Sequence, residues 1–232
     1  MTADDDLLLP RPFRVAVLVV SLGVSCFLIG RAVVDAHALG SLWFVPVALL
    51  LGHIGVDAVT LMTHWSLDNY FSRSTPFIGK TVHYFREHHV DQMAMFRRDV
   101  VDNNFEQAIL CLCWSVPPLL LHASPVPAAL IGWGTIVGCF ITTIHKHAHL
   151  QRPHPFFQAL QRCHLLVDAR HHAVHHRGEN KSYGLAAGWV DVVFERLLVL
   201  RGLEALIKAT TGHEPAHGDR LPTTTTDRGT PA

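Results

Sequence analysis

Four long apolar segments constrain the fold of this 232-residue chain more than any other feature of its sequence. They cover residues 13–34, 41–62, 105–123 and 126–147, and a helix needs roughly 20 apolar residues to cross a hydrocarbon core about 30 Å thick. Charged residues make up only 16% of the chain, whereas about a quarter is typical of soluble domains. The sequence therefore predicts an all-α integral membrane protein with four transmembrane helices.

Positive charges are distributed unequally between the loops that join these segments. The 63–104 loop contains five Lys or Arg residues, whereas the 122–125 turn contains none. By the positive-inside rule, both termini and the 63–104 loop are expected in the cytoplasm of a multi-pass protein. The net charge is zero, so nothing indicates nucleic-acid binding.

The chain is expected to divide into three parts. We predict an N-terminal cytoplasmic segment at 1–12, a membrane domain at 13–207 and a tail at 208–232. The tail is rich in Thr, Pro, Gly and Asp, a composition typical of disordered segments.

Eighteen residues are histidines, and half of them lie in three clusters just outside the apolar segments. The clusters are the runs 86–89, 145–149 and 171–176. Imidazole binds iron, zinc, copper and nickel at neutral pH, and the predicted topology places all three runs on one side of the membrane. The pattern therefore predicts a cytoplasmic, histidine-rich helical cap that holds metal.

Helical spacing within the later runs is suited to metal binding. His145 and His149 are four residues apart, the spacing at which two imidazoles reach one ion. On a helix, the four histidines of the last run fall within about 140° of arc, so one face offers four nitrogens. These four are His171, His172, His175 and His176. A solvated basic stretch is the simpler alternative for this run, and His164 upstream is equally compatible with a ligand or a packing residue.

His64 follows the second apolar segment and shares a helical face with Asp57 and Asp68. A carboxylate inside a membrane helix is costly and indicates function. Both aspartates are therefore candidates either to bind a metal, Asp68 more than Asp57, or to hydrogen-bond and orient its ligands. His88 and His89 point about 100° apart on a helix, which allows them to serve two metals. Asp91 beside them is expected to position ligands or anchor head groups.

More than four strong histidine candidates favour two metal ions, and the combination fits non-haem di-iron chemistry with O₂. The chain lacks the sequence patterns of dinucleotide, haem and ferredoxin-type iron–sulfur sites. Electrons must therefore come from a separate donor protein.

The ordered set of motifs resembles the Kua/CarF lipid desaturase family. Its pieces are Thr63-His64-Trp65 with Asp68, Arg86-Glu87-His88-His89 with Asp91, Asn104, His145-Lys146 with His149, His164, the 171–176 run, Tyr183 and Gly188-Trp189. The resemblance covers roughly residues 50–192 and depends on the whole combination.

This resemblance implies a membrane di-iron desaturase that takes electrons from a cytochrome b5 or ferredoxin type of donor. The metal-site residues it implies are His64, His88, His89, Asn104, His145, His149, His164, His171, His172, His175 and His176. We expect O₂-dependent formation of the vinyl ether of plasmalogens from an alkyl ether phospholipid, as in plasmanylethanolamine desaturase.

Other functions remain open at this point. Within the same chemistry, the chain could desaturate an ester-linked acyl chain near its carboxyl end, as in the phosphatidylglycerol desaturase of plastids. From other classes, a metal transporter or sensor and a zinc-stapled structural membrane protein also use histidines. Transport sites usually lie near the bilayer midplane, whereas these clusters lie beyond the apolar segments.

Overall fold

The computed structural model describes residues 9–177 and 180–216, which fold into ten α-helices and one 3₁₀ turn with no β-strand among them. The helices are α1 (Arg11–Ala38), α2 (Phe44–Asn69), α3 (Gly79–Val90), α4 (Val100–Leu120), α5 (Pro125–Cys139), α6 (Ile141–Ala148), α7 (Pro155–Arg162), α8 (Ala169–His176), α9 (Trp189–Arg196) and α10 (Val199–Thr211). The 3₁₀ turn, Ala94–Arg97, lies between α3 and α4. The all-α prediction is confirmed for the described residues.

Helices α1, α2, α4 and α5 pack into a bundle through small residues. A Cβ on Gly52 of α2 would lie 2.3 Å from the carbonyl oxygen of Leu130 on α5, so only glycine permits this approach. Gly132 similarly leaves room for Leu28 and the Ser25 carbonyl of α1. Small residues at such interfaces are typical of helices that pack within a membrane.

Two helices, α1 and α2, are long and apolar enough to cross a membrane. Their outward faces are apolar too: Val20, Phe27 and Leu50 are each exposed over at least half of their surface. The predicted fourth span at 126–147 is bent, because α5 and α6 meet at an angle of 53°, and the pair is apolar enough only when taken as one span.

Helix α4, which covers the predicted third span, begins with a polar turn. Asp99 caps the helix by accepting a hydrogen bond from the Asp102 backbone N–H. Polar side chains continue to Gln107, and Pro117 and Pro118 lie near the other end. Only the part from 108 onward is uniformly apolar or small, so α4 is not among the helices apolar enough to count as a span.

The shorter helices gather near the ends of α2 and α6 and bring the histidine runs together. Helices α3 and α9 pack against α2, and α8 packs against α6. A core of Leu61, Trp65, Tyr183, Val190 and Leu200 joins α2 to the segment that contains α9 and α10. The predicted tail at 208–232 begins inside α10, which continues to Thr211, and its remainder from 217 onward lies outside the described residues.

Candidate metal centre

Nine side chains form two groups of potential metal ligands. Eight of them come from α2, α3, α6 and α8, and the ninth, His149, directly follows α6. The five-histidine cluster consists of His88, His145, His149, His172 and His176. The aspartate cluster consists of His64, Asp68, His89 and His175. Within each group, the ligand atoms all lie within 4.8 Å of one another.

The five-histidine cluster brings ring nitrogens to the spacing expected around a single ion. The His145 and His172 Nε2 atoms are 2.8 Å apart, and His149 Nε2 lies 3.2 Å from the first and 3.1 Å from the second. His176 Nε2 lies 2.9 Å from that of His172. Two nitrogens bound at right angles, each about 2.1 Å from one ion, are about 3.0 Å apart.

Hydrogen bonding alone does not satisfy this arrangement. A neutral imidazole Nε2 either carries a proton or offers a lone pair. Three nitrogens within 3.2 Å of each other, as on His145, His149 and His172, must therefore include one pair of the same kind. A cation at the centre accepts a lone pair from each of them, so the geometry fits a bound metal better than a hydrogen-bonded network.

The aspartate cluster surrounds one carboxylate oxygen. Asp68 Oδ2 lies 3.3 Å from the Nε2 atoms of His89 and His175, and 3.4 Å from that of His64. The sequence left open whether Asp68 binds a metal or orients its ligands, and the structure places its carboxylate among the potential ligand atoms. Spacing along α2 showed that Asp68 shares a face with His64, but it could not show that α3 and α8 approach that face.

Two helices contribute to both clusters. Neighbouring residues of α3 divide between them, with His88 in the five-histidine cluster and His89 in the aspartate cluster. On α8, His172 and His176 belong to the first cluster and His175 to the second. The two clusters are therefore adjacent.

Local contacts hold these helices in place. The Asp168 side chain caps α8 by accepting a hydrogen bond from the His171 backbone N–H, at 2.8 Å. Arg86, two residues before His88, donates to the backbone oxygens of Leu67 and Asp68 at the end of α2, at 3.2 and 2.5 Å. This arginine therefore joins α3 to the end of α2, where Asp68 of the aspartate cluster lies.

In two of the ligand histidines, one ring nitrogen is hydrogen-bonded to the backbone and the other has no hydrogen-bond partner. The Nδ1 atoms of His64 and His88 face the backbone oxygens of Tyr183, at 2.9 Å, and Phe85. Each ring can donate its Nδ1 proton there, which leaves Nε2 with a lone pair. The Nε2 atoms of both rings, and both carboxylate oxygens of Asp68, are buried without a hydrogen-bond partner. Imidazole and carboxylate donors suit iron as well as zinc, so the residues fit a metal site.

Burial favours the neutral form of His88, His149 and His172. Desolvation lowers the pKa of His88 and His172 well below 6.5, and the neighbouring histidines lower it further. The same burial lowers the pKa of His149 to about 4. At physiological pH these imidazoles are therefore neutral and each carries a lone pair, which is the form that binds metals.

Three predicted metal-site residues lie outside the clusters. His164 has an exposed side chain, and its carbonyl accepts a hydrogen bond from Trp189 Nε1, at 2.8 Å. The His171 ring turns to Asp191, with its Nε2 2.8 Å from the carboxylate. Asn104 joins α4 to α6 through Thr143, whose hydroxyl and backbone N–H it bonds at 2.6 and 3.3 Å. Helical spacing alone could not separate His171 from its neighbours, because it lies at the edge of the same arc.

The other predicted orienting residues also have different contacts. Asp57 accepts three backbone N–H bonds, two from the segment between α8 and α9 and one from the first turn of α9. Asp91 pairs with Arg97 at the surface and accepts from the Met93 N–H. The sequence reasoning missed Asp191, which is buried and contacts His171. Asp191 is the third residue of the short helix α9, and the sequence around it gave no indication that it would contact His171.

Comparison with known proteins gives these clusters a family context. A family model described as a lipid desaturase domain matches residues 54–218, a range that contains all nine cluster residues. The plasmanylethanolamine desaturase of Myxococcus xanthus is 30% identical over 220 residues, which cover 90% of this chain and 76% of that protein. No solved structure matches the chain.

Two further relatives come from eukaryotes. Plasmanylethanolamine desaturase 1 of Mus musculus is 30% identical over 84% of this chain and 78% of its own length. The chloroplastic fatty acid desaturase 4 of Arabidopsis thaliana is also 30% identical, over 71% of this chain but only 52% of its own length. The chain therefore belongs to the Kua/CarF family of lipid desaturases, oxidoreductases that act on lipids in association with a membrane.

Proposed function

We propose that this lipid desaturase is an O₂-dependent plasmanylethanolamine desaturase that holds two iron ions, one in each cluster. The observation that carries the proposal is the division of nine buried or half-buried ligand groups into two adjacent sets. The substrate assignment is supported by the two relatives with that name, which align with this chain over more than three quarters of their own lengths.

The residues of the two clusters would hold the iron through eight imidazoles and one carboxylate. Bound iron would supply the redox chemistry that removes two hydrogens from a saturated carbon–carbon bond. The substrate gives up two electrons and two protons, whereas reducing O₂ to two waters takes four of each. A separate donor protein, of the cytochrome b5 or ferredoxin type, must supply the other two electrons, and solvent the other two protons.

An apolar side chain, Phe85, packs against the proposed metal centre. The Phe85 ring contacts the rings of His64, His88 and His145, with centroid distances of 4.8, 5.5 and 6.4 Å. Its position between ligands from α2, α3 and α6 limits the access of water to their ring nitrogens. Excluding water protects a strongly oxidising site from side reactions.

We further propose four membrane spans, with both termini and both clusters on the cytoplasmic side. The bundle of α1, α2, α4 and α5 supports this arrangement, as does the excess of Lys and Arg in the 63–104 loop. In such a bundle the alkyl chain of a lipid would reach the clusters along the apolar helices, with the head group at the membrane surface.

Desaturation of an ester-linked acyl chain is the second candidate. It is favoured by the similarity to the chloroplastic desaturase, which is 30% identical over 168 residues. Both reactions use the same site chemistry and differ only in the lipid bond that is placed beside it.

Lipid mass spectrometry separates the candidates. The chain is expressed in cells that make no vinyl ethers and have a verified donor system, and the cells are fed an alkylglycerol. We expect ether lipids that are two hydrogens lighter and acid-labile. His172→Ala should abolish them, whereas His37→Ala, at an exposed position of α1, should not.

New unsaturation confined to ester-linked chains would replace the proposal with the acyl desaturase. If neither lipid class changed while the donor system was active, the desaturase assignment would fail and a role in metal binding, as a transporter or sensor, would be favoured.

A further inference from the structure

Two buried carboxylates outside the clusters hold the segment that joins α8 to α9. Asp57 of α2 is fully buried. Its Oδ1 accepts hydrogen bonds from the backbone N–H groups of Ala187 and Gly188, both at 2.9 Å, and its Oδ2 accepts one from Val190 at 3.0 Å. A carboxylate from α2 thus fixes the start of α9.

Asp191, on the first turn of α9, binds the same segment from the other side. It is 1% exposed. Its Oδ1 accepts from the Tyr183 N–H and its Oδ2 from the Gly184 N–H, both at 2.9 Å. The Oδ2 atom also lies 2.8 Å from the His171 Nε2, so one buried carboxylate takes three hydrogen bonds.

Two glycines show how closely this segment is fitted. A Cβ on Gly184 would lie 2.6 Å from Asp191 Oδ2 and 3.1 Å from Asp57 Oδ1, so the backbone at this position passes between the two carboxylates. Gly188 has a φ of +74°, and a Cβ there would lie 2.7 Å from the His171 Nε2. Any side chain at either position would displace the carboxylates or the ring.

The segment touches the metal centre through Tyr183. Its backbone oxygen lies 2.9 Å from His64 Nδ1, and its ring packs against the His64 and His175 rings at centroid distances of 5.4 and 4.6 Å. The Tyr183 N–H is held by Asp191. The carboxylate therefore acts on His64 through a single backbone unit.

Through its contact with His171, Asp191 also affects the position of α8. His171 lies on α8 immediately before His172, and α8 supplies ligands to both clusters. Fixing the His171 ring against α9 fixes the rotation of α8 about its own axis. A rotation of α8 would move His172, His175 and His176 together.

We propose that Asp191 is a positioning residue of the metal centre, which acts on His64 through the Tyr183 carbonyl and on α8 through the His171 ring. Asp57 supports it by holding the same segment from α2. The inference rests on the proposed function in one respect, namely that the two clusters bind metal.

The first test is Asp191→Asn. The substitution keeps the shape of the side chain, but its NH₂ must face either Tyr183 N–H or the pair formed by Gly184 N–H and the His171 Nε2. A donor then opposes a donor in either orientation. Losing a partner that orients a ligand typically lowers metal affinity about 10–100-fold.

The measurement is titration of purified, metal-free protein with Co²⁺, with affinity and visible spectrum as readouts. We expect Asp191→Asn to weaken Co²⁺ binding at least tenfold and to shift the visible bands of the bound ion. The control is Asp102→Asn, which removes another mostly buried carboxylate, one paired with Arg14 at 3.4 Å. It should leave both readouts at wild-type values.

A second pair of variants decides the matter if Asp191→Asn does not fold. His171→Gln keeps a donor for Asp191, whereas His171→Leu removes it. We expect His171→Leu to weaken Co²⁺ binding and His171→Gln to restore most of it.

An unchanged spectrum and an affinity within twofold of wild type in Asp191→Asn would overturn the proposal. Equal effects of the two His171 variants, or the same spectral change in Asp102→Asn, would also overturn it. If the wild-type protein bound no Co²⁺, the proposed metal centre itself would fail, and the positioning role would fail with it.

Discussion

The division of the ligands into two clusters predicts that each ion stabilises the fold separately. The perturbation that tests this is Asp68→Ala, which removes the carboxylate around which the Nε2 atoms of His64, His89 and His175 gather at 3.3–3.4 Å. It leaves three imidazoles of that cluster without their anion. The five-histidine cluster does not include Asp68 and keeps its full ligand set.

The size of the effect follows from mass action. An ion present at 100 times its Kd stabilises the folded state by about 2.7 kcal/mol, so two independent ions contribute about 5.4 kcal/mol. For a chain of this size, about 1 kcal/mol shifts the Tm by about 2–4 °C, so saturation should raise the Tm by about 11–22 °C. Asp68→Ala should halve this increment and reduce the bound metal from two ions per chain to one.

The assay compares metal-free and Co²⁺-saturated protein by size-exclusion chromatography after heating, with metal content measured in parallel. Because only the metal-induced increment is compared, any direct effect of the substitution on the metal-free fold cancels. His176→Ala leaves four nitrogens in its cluster and should keep two ions with lower affinity. Asp91→Ala, which removes a surface pair with Arg97, is the control. Two ions and a full increment in Asp68→Ala would refute the division into two sites.

Three other predictions concern packing and protonation. Gly52→Ala puts a methyl group 2.3 Å from the Leu130 carbonyl oxygen, so we expect it to lower the Tm. Gly55→Ala, at a position with open space around it, should leave the Tm unchanged. Equal Tm values for the two variants would contradict the close approach of α2 and α5. Asn104→Leu leaves the hydroxyl and the backbone N–H of Thr143 without their Asn104 hydrogen bonds, so it should lower the free energy of unfolding by about 1–3 kcal/mol. An unchanged unfolding midpoint would contradict this bridge between α4 and α6. Metal-free protein should lose stability as the pH falls from about 6.5 towards 4. The reason is that the pKa of His149 is lowered to about 4 in the folded state, so the unfolded chain takes up this proton at a higher pH than the folded one. A flat profile of Tm against pH would contradict this.

The sequence was sufficient for those features that depend on one helix at a time. The spacing of His145 and His149 indicated a shared ion, and the structure places both in the five-histidine cluster. The apolar length of 13–34 and 41–62 predicted α1 and α2. Such features follow from periodicity and composition, which are local.

Features that depend on the approach of two elements could not be predicted. The pattern could not decide between a ligand and an orienting role for Asp68, because only the approach of α3 and α8 to α2 surrounds its carboxylate with imidazoles. It placed His171 among the ligands, because only the position of α9 shows that Asp191 takes up its ring. The 53° angle between α5 and α6 likewise has no signature in the uniform apolarity of 126–147.

The use of α8 by both clusters has a consequence for how the protein is made. The ligands of the aspartate cluster begin at His64, but neither cluster is complete until residues 172–176 have left the ribosome. By then α1, α2, α4 and α5 have already been synthesised. Loading of the proposed iron ions would therefore be a late event in biogenesis, and a chain stalled or truncated before α8 would lack ligands of both clusters.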